Sequence, residues 1–315
     1  MPKNEFKDIL KKVNQYKVTE KEDIISLINS LSDTGFNAKR LAIACEIYKE
    51  MINDNECVKF FGLAGALVPA GMQRIIHDFI AEGFIDILVT TGANLTHDVA
   101  ETLGYNHLQG DIELDQFNDV SLHREEINRI YDVFLPNNVY EGIENFVSEL
   151  NVPDYNMSVR EFLKFLGQEL PNNPNSVLKI CSDKDVPIFC PAFTDSGLAM
   201  QIGFHHQKIN LNHFKDMMEM VNLAWDAKKA GVCIVGGGVP KNFILQSLQF
   251  SPNSASYAIQ ITMDRPEPGG LSGATLNEAI SWGKIGENAK YSTVISDATI
   301  ALPLIFWYLK SSKMK

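Results

Sequence analysis

The stretch Ala230-Gly-Val-Cys-Ile-Val-Gly-Gly-Gly-Val-Pro-Lys241 joins an apolar run to three glycines and then to a proline. The apolar run is typical of a strand buried on both faces, as strands of parallel sheets are. Because proline is favoured in the first turn of a helix, Pro240 predicts that a helix follows. The glycines would let the backbone approach a phosphate or a ribose without obstruction by Cβ. The turn is not the GxGxxG fingerprint, so a tight strand-to-helix connection without a ligand is an equal alternative at this point.

The same order of strand and helix recurs on both sides of this stretch. The predicted strands lie at about 58–63, 85–90, 186–190, 232–235, 257–262 and 293–296, and the predicted helices at 72–82, 92–104, 213–229, 240–248, 276–282 and 299–310. Alternation of this kind requires crossover connections and so predicts a parallel sheet. We expect an α/β fold: a Rossmann-like, doubly wound, mostly parallel sheet with helices on both faces.

Two helical segments precede the first strand. Thr19 and Glu22 have the spacing of a capping box, and a second helix is predicted from Asn37 to Asn53. We expect residues 1–55 to form an N-terminal helical segment and residues 56–315 a nucleotide-binding domain with an irregular, more polar insertion at about 105–175. Because no linker rich in Pro or Ser interrupts the chain, a single domain is favoured overall.

Composition limits the partners and the compartment. The 315 residues include 28 Lys and Arg against 39 Asp and Glu, a net charge of −11, which argues against nucleic-acid binding and is compatible with a cationic small molecule. The five cysteines form no CxxC pair and no Cys/His cluster, so neither a disulfide framework nor a metal site is expected. No signal-peptide pattern is present and the longest apolar run is too short to span a bilayer, so we expect a cytoplasmic protein without membrane binding.

Small, hydroxyl-bearing or acidic residues follow the predicted strands. In open parallel sheets, ligands bind outside the carboxyl ends of the strands, so these residues are candidates for binding a dinucleotide. The candidates are Gly65, Thr91, Gly92, Asp195, Gly237, Gly238, Asp297 and Ala298. Asp195 and Asp297 could each accept hydrogen bonds from ribose hydroxyls, although each could instead cap the following helix. His97 lies early in the helix that follows Gly92, where it could face a ligand.

The most unusual window runs from residue 269 to 285 and reads Gly-Gly-Leu-Ser-Gly-Ala-Thr-Leu-Asn-Glu-Ala-Ile-Ser-Trp-Gly-Lys-Ile. A loop rich in Gly and Ser leads into a short helix that ends near Trp282 and Lys284. A lysine beside an indole can be desolvated and so become a neutral, nucleophilic amine. Trp282 could hold a cationic substrate by cation–π contact, and Glu278 could pair with an ammonium. The alternative for Lys284 is a cation that complements the helix dipole.

At this window the sequence resembles the deoxyhypusine synthase family, and the resemblance extends over about 60–309. It rests on motifs that occur in order along the chain: Val89-Thr-Thr91, Pro191-Ala-Phe-Thr-Asp195, Gly236-Gly-Gly-Val239, Glu278-Ala-Ile-Ser-Trp-Gly-Lys284 and Ser296-Asp-Ala298. The resemblance implies that residues 56–315 bind NAD at the strand ends. It also implies a homotetramer whose active sites lie between subunits, and Lys284 matches the family's active-site lysine.

The implied chemistry is an NAD-dependent transfer of a 4-aminobutyl group without net redox change. NAD accepts hydride from the polyamine spermidine, 1,3-diaminopropane leaves, and Lys284 holds the four-carbon fragment as a Schiff base. An acceptor amine then displaces Lys284, and the stored NADH reduces the new imine. In this family the acceptor is a lysine of the hypusine-containing translation factor, whereas in the related homospermidine synthases it is putrescine. A non-catalytic relative that binds NAD or a polyamine is a third alternative, disfavoured because Glu278, Trp282 and Lys284 are all retained.

The amine pocket departs from the family pattern. Asn242 stands in place of a substrate-binding His, Gln246 in place of a later Asn, and His97 where a Glu is typical. Two positions that usually hold acids for the ammonium groups are Met200 and Leu271. A missing carboxylate opposite a buried ammonium costs about 1–3 kcal/mol, so unchanged specificity for spermidine is not expected. The predicted catalytic residues are Lys284, Glu278, Trp282 and His97, and the predicted substrate-binding residues are Asn242, Gln246, Ser272, Trp282 and Glu278.

Overall fold

The computed structural model describes residues 11–18, 20, 22–110 and 118–313. Its strands are β1 (Cys57–Leu63), β2 (Ile87–Thr90), β3 (Leu108–Gln109), β4 (Ile127–Ile130), β5 (Val133–Pro136), β6 (Asn156–Met157), β7 (Ile188–Phe189), β8 (Asn210–Leu211), β9 (Lys229–Val235), β10 (Ala255–Thr262) and β11 (Ile285–Ile295). Its helices are α1 (Ile24–Ser32), α2 (Phe36–Asn53), α3 (Gln73–Ala81), α4 (Gly92–Thr102), α5 (Asp119–Arg124), α6 (Asn138–Glu149), α7 (Val159–Glu169), α8 (Val177–Asp183), α9 (Gly197–His205), α10 (His213–Asp226), α11 (Gly238–Gln249), α12 (Leu276–Ser281) and α13 (Ala298–Lys313). A short π-helical turn, Val68–Met72, precedes α3.

The main sheet has six parallel strands in the order β7-β2-β1-β9-β10-β11. The chain runs outward from β1 to β2 and β7, and then returns to β9 on the other side of β1. The direction of winding therefore reverses between β1 and β9, where Leu63 is paired with Val235. A reversal of this kind opens a crevice at the carboxyl ends of the two strands. The predicted Rossmann-like, doubly wound α/β fold is confirmed.

Both faces of the sheet are covered by helices. On one face the ring of Phe79 on α3 lies 5.8 Å from that of Phe61 on β1 and 4.9 Å from that of Phe306 on α13. On the other face, Ile244 and Leu248 of α11 are fully buried in a second cluster with residues of β1, β2 and β9. Burial on both faces explains why the central strands are almost uniformly apolar.

The edge strand β11 is longer than predicted. Residues 293–296 were the predicted strand, whereas the structure extends it back to Ile285. The first part, Ile285-Gly-Glu-Asn-Ala-Lys290, is polar because it lies at the sheet edge, where much of it is exposed. It therefore lacks the apolar run by which buried parallel strands are identified.

Several other boundaries differ from prediction by one to three residues. Helix α10 ends at Asp226 rather than at Lys229, which begins β9, and α11 begins at Gly238, two residues before Pro240.

The region 105–175 is not irregular throughout. It contains the antiparallel sheet β3-β5-β4 and the helices α5, α6 and α7. Its strands are short and partly exposed, so their apolar pattern is weak.

The N-terminal segment adds α1 and α2 to one face of the sheet. Helix α2, predicted from Asn37, begins at Phe36 and packs on β11 and α13. Thr19 of the predicted capping box lies outside the described residues, and Asp23 caps α1 by accepting a hydrogen bond from the backbone N–H of Ser26 at 2.8 Å. Within the described ranges, no helix has both the length and the apolar character that a bilayer crossing requires.

Candidate functional site

The crevice between β1 and β9 is bordered by glycines in left-handed backbone conformations. Gly65 after β1 has φ +77°, and Gly236 and Gly238 after β9 have φ +77° and +56°. Apart from the adjoining stretch of chain, no atom lies within 4 Å of where a Cβ of Gly65 or Gly238 would stand, so the crevice has free room at both positions. At Gly237 the reason for glycine is different, because a Cβ there would lie 2.4 Å from Cα of Ser272. The glycine turn thus packs directly on the 269–274 loop.

Ser272 joins the two segments by hydrogen bonds as well. Its hydroxyl accepts the backbone N–H of Gly238 at 2.9 Å, at the start of α11. The amide nitrogen of Gln260 on β10 donates to the carbonyls of Gly236 at 2.9 Å and Ser272 at 2.8 Å. The predicted substrate residue Ser272 and the predicted cofactor turn are therefore parts of one connected structure.

Lys241 is buried beneath this structure, with 2% of its surface exposed. Its Nζ donates to Oε1 of Gln260 at 3.0 Å and to the carbonyls of Leu271 and Ala274 at 3.1 and 2.6 Å. Burial lowers the pKa of Lys241 to about 8; the carboxylate of Glu278 raises it and the charge of Lys284 lowers it further. Three acceptors match the three protons of an ammonium, so the lysine holds α11, β10 and the 269–274 loop together.

Sequence reasoning missed Lys241 and Gln260. A usable signal was present for Lys241, because it precedes Ile244, Leu245 and Leu248 at spacings of three, four and seven and so lies on the buried face of α11. Gln260 lies in the middle of an apolar strand and gave no comparable signal beyond its polarity.

The predicted catalytic residues of the 269–285 window lie on and just after α12. Thr275 caps this helix, its hydroxyl accepting the N–H of Glu278 at 3.4 Å. Nζ of Lys284 lies 5.2 Å from the centroid of the Trp282 ring, within the range of a cation–π contact. Glu278 is exposed, Trp282 is 58% exposed and Lys284 is half-buried. The indole and the lysine thus lie side by side on an open surface.

The backbone of Lys284 lies at the amino end of the sheet. It directly precedes β11, and its carbonyl accepts the N–H of Ala255, the first residue of β10. The glycine turn lies at the carboxyl end, and β10 alone spans roughly 23 Å at ~3.3 Å per residue. Within one chain, the backbone of Lys284 is therefore far along the sheet from the predicted cofactor crevice.

The loop after β2 is tied to the crevice through Thr91. Its hydroxyl donates to the carbonyl of Gly65 at 3.5 Å and accepts the N–H of Asn94 as the cap of α4. Gly92 is buried, and a Cβ there would lie 2.4 Å from Cβ of Ser196, so Gly92 allows α4 and the start of α9 to pack closely. The structure brings Thr91 and Gly65 together and gives Gly92 a packing role.

The two predicted ribose carboxylates have different surroundings. Asp195 is exposed, directly before Ser196, which caps α9. Asp297 accepts both the N–H and the hydroxyl of Thr299 at 2.7 Å, which places it as a cap at the start of α13, where Ala298 is the first residue. Asp297 therefore caps α13, as the alternative to ribose binding predicts.

Two of the predicted substrate-binding residues, Asn242 and Gln246, line a broad apolar cavity between α10 and α11, whereas Ser272, Glu278 and Trp282 do not. The amide nitrogen of Asn242 donates to Oε1 of Gln246 at 3.0 Å, one turn further along α11. Both side chains and the exposed Leu271 border a space of about 910 Å³. The rest of the lining is mainly apolar: Phe189, Cys190, Pro191, His213, Phe214, Asp216, Met217, Met218, Val221, Trp225, Val239, Phe243, Ser247 and Phe250. Met200 is exposed on α9 and is not part of this lining.

His97 is hydrogen-bonded within a group that sequence reasoning did not find. Its Nδ1 lies 2.8 Å from Nε2 of His107, whose Nδ1 lies 2.6 Å from Oε1 of Glu101. Burial, together with the charge of His107, lowers the pKa of His97 to about 4. Glu101 follows His97 by four residues, one turn of α4, which the sequence could have shown. His107 returns from the loop after α4, which no spacing rule predicts.

Comparison with known proteins agrees with the resemblance stated above. A family model described as deoxyhypusine synthase matches residues 26–309. A protein named "probable deoxyhypusine synthase 1" from Methanosarcina mazei is 45% identical over 303 residues, 95% of this chain and 94% of the relative. One of the same name from Archaeoglobus fulgidus is 41% identical over 91% of this chain and 93% of that protein.

Solved structures agree at the level of the fold. The crystal structure of a "putative deoxyhypusine synthase" from Entamoeba histolytica has a TM-score of 0.66 at 16% identity, covering 95% of this chain and 97% of that one. The match of the family model over most of the chain, together with relatives above 40% identity, decides the classification. This chain belongs to the deoxyhypusine synthase family.

Proposed function

We propose that this protein is an NAD-dependent aminobutyl transferase that moves the four-carbon group of spermidine, through Lys284, to a lysine of the hypusine-containing translation factor. The observation that carries the proposal is the contact of Lys284 Nζ with the Trp282 ring at 5.2 Å, with Glu278 on the preceding helix. An amine beside an aromatic face suits the capture of a cationic alkyl fragment. Family membership and the names of the relatives support the activity.

The dinucleotide would bind in the crevice between β1 and β9. Gly65 and Gly238 leave open space, and α11 begins at this point, where backbone N–H groups favour a phosphate. When bound, NAD supplies the acceptor and later the donor of hydride. The residues that would hold it are Gly65, Thr91, Asp195, Gly237 and Gly238, with Gly92, Asp297 and Ala298 shaping the neighbouring helix starts.

The role of Lys284 follows from amine chemistry. Once the donor is an imine, Nζ forms a bond to its carbon, the bond from that carbon to 1,3-diaminopropane breaks, and a proton moves from Nζ to the leaving nitrogen. Lys284 then carries the fragment as a Schiff base until the acceptor lysine replaces it in the same way. Trp282 and Glu278 would hold the remote ammonium of the fragment.

The family resemblance supports a homotetramer with active sites between subunits. In such an assembly Asn242, Gln246 and Ser272 would contact the amine. The backbone of Lys284 lies at the amino end of the sheet, while the charge of its side chain acts on the buried Lys241 beneath the glycine turn. No observation favours the homospermidine branch or a non-catalytic relative.

The test is Lys284→Arg, which retains a positive charge but cannot form a Schiff base. Purified protein is given NAD, labelled spermidine and the translation factor, and the transferred label is counted. We expect the variant to transfer at background level while it still binds NAD, and borohydride to trap label on a peptide containing Lys284 only in the wild type. Lys290→Arg, at an exposed lysine of β11, is the control. Transfer by the Lys284 variant near the wild-type rate would refute the covalent role.

A further inference from the structure

Glu101, His107 and His97 form a continuous hydrogen-bonded chain. Oε1 of Glu101 lies 2.6 Å from Nδ1 of His107, and Nε2 of His107 lies 2.8 Å from Nδ1 of His97. Oε1 of Glu101 also accepts the backbone N–H of His107 at 3.0 Å, which fixes the imidazole beside the carboxylate. Because an ionised carboxylate only accepts, Nδ1 of His107 carries a proton. With both imidazoles neutral, Nδ1 of His97 is the next donor and Nε2 of His97 has a free lone pair.

We propose that these three residues form a proton relay: Nε2 of His97 takes a proton from a substrate ammonium, and the positive charge comes to rest on His107 beside Glu101. The identity of the ammonium, a polyamine nitrogen, rests on the proposed function. Each transfer is balanced. As Nε2 of His97 gains a proton, Nδ1 of His97 passes its own to Nε2 of His107, and the resulting imidazolium pairs with the carboxylate of Glu101.

The free end of the relay is Nε2 of His97. This atom has no hydrogen-bond partner among the residues that the structure describes, and 8% of the surface of His97 is exposed. Thr91, which is hydrogen-bonded to the carbonyl of Gly65, caps helix α4. His97 lies six residues after Thr91, about 9 Å along the helix axis at 1.5 Å per residue. The relay therefore begins close to the proposed cofactor crevice.

The other end of the relay reaches a second opening. Glu101 and His107 line a cavity of about 500 Å³, together with Arg74 of α3, Asp132 after β4 and Thr299 of α13. Arg74 is neutralised by Asp78 at 2.9 Å. The buried carboxylate of Asp98 on α4 is occupied by the N–H groups of α8 and does not compete for the imidazoles. A proton held on His107 can thus leave through this cavity.

The electrostatics favour the passage of a proton through His97 over its retention there. The low pKa of His97, about 4, reflects burial and the neighbouring His107, so an imidazolium at position 97 is not a stable resting state. Hydrogen bonds from His107 oppose the effect of burial and lower the pKa of Glu101, so its carboxylate stays ionised and can stabilise charge on His107. The chemistry needs such a base, because an ammonium nitrogen has no lone pair and must lose a proton before its neighbouring carbon can give up hydride.

Two measurements test the relay. The first is nitrogen NMR of protein with labelled histidine, without substrate. We expect His97 to be neutral at pH 7, with the proton on Nδ1 and none on Nε2, to remain so until the pH approaches about 4, and its Nε2 signal to move when spermidine is added. A His97 that carries a proton on Nε2 at pH 7 would overturn the relay, whatever the enzyme does.

The second measurement is the pH profile of NADH formation from NAD and spermidine without acceptor. Glu101→Gln keeps an acceptor for His107 but removes the charge that stabilises its imidazolium. We expect its plateau rate to fall tenfold or more and its acidic limb to move to lower pH. Glu144→Gln, at the exposed carboxylate 3.3 Å from His205, is the matched control and should change neither. An unchanged profile in Glu101→Gln would overturn the relay. A wild type that makes no NADH would instead count against the proposed function, and the NMR result would then decide the relay alone.

Discussion

Lys241 shows how one buried charge can hold three segments together. Replacing it with Met keeps the length of the side chain but leaves the acceptors on Gln260, Leu271 and Ala274 without their donor. Each unsatisfied buried acceptor costs about 1–3 kcal/mol, partly offset because the buried charge is removed. We expect Lys241→Met to lower the free energy of unfolding at pH 7 by about 1–3 kcal/mol in urea titrations. Lys228→Met, at an exposed lysine, is the control and should change it by less than about 0.5 kcal/mol.

The same lysine predicts a dependence on pH. Its pKa is about 8 in the folded protein and 10.5 in the reference state, so the unfolded chain binds the proton more tightly. The penalty for charging Lys241 in the fold is fully present below pH 8 and disappears as the pH rises toward 10.5. The stability of the wild type relative to Lys241→Met should therefore increase over this window by up to about 3 kcal/mol. A difference that stays constant from pH 7.5 to 10.5 would show that the pKa is not lowered.

The strand-turn-helix of β9 and α11 depends on Gly237. Its φ of −174° is ordinary extended backbone, so the need for glycine comes from the contact with Ser272 and not from strain. In Gly237→Ala the new Cβ would force the turn and the 269–274 loop apart. We expect calorimetry to show at least tenfold weaker NAD binding, with a lower Tm. Gly35→Ala, where no atom lies within 4 Å of the new Cβ, should leave NAD binding unchanged. Wild-type affinity in Gly237→Ala would separate this turn from the cofactor.

Elements that are buried on both sides could be predicted from the sequence, whereas partly exposed elements could not. Strand β9 and its glycine turn were identified because a strand covered on both faces must be apolar throughout. The first half of β11 was missed because an edge strand can be polar. Contacts between distant parts of the chain could not be predicted either. Nζ of Lys241 donates to backbone carbonyls 30 and 33 residues further along the chain. Because every residue has a backbone carbonyl, the sequence does not indicate which ones accept these hydrogen bonds.

In the whole molecule, most of the apolar surface of α13 is used within the chain. Residues 301–308 are apolar almost throughout. Within this segment Ala301, Leu302, Ile305 and Tyr308 are buried, in a helix that packs on α1 and α2. The larger exposed apolar surface lies around the cavity between α10 and α11, where Phe214, Met218, Trp225 and Phe250 are all exposed. Apolar surface of this extent is typical of an interface between subunits.

Two tryptophans of similar exposure, one on each surface, allow the two possible interfaces to be tested separately. Trp225 borders the cavity and is 57% exposed, and Trp307 lies on α13 and is 53% exposed. If the proposed tetramer is assembled through the α10–α11 surface, Trp225→Ser should reduce its mass in light scattering at micromolar concentration, because a large aromatic side chain is removed from the contact. Trp307→Ser should then leave the mass unchanged. The reverse result would place the interface on α13, and a wild type that is monomeric at this concentration would refute both. If the active sites lie between subunits, as proposed, the Trp225 variant should also lose transfer in proportion to the loss of tetramer, while each dissociated chain keeps its fold.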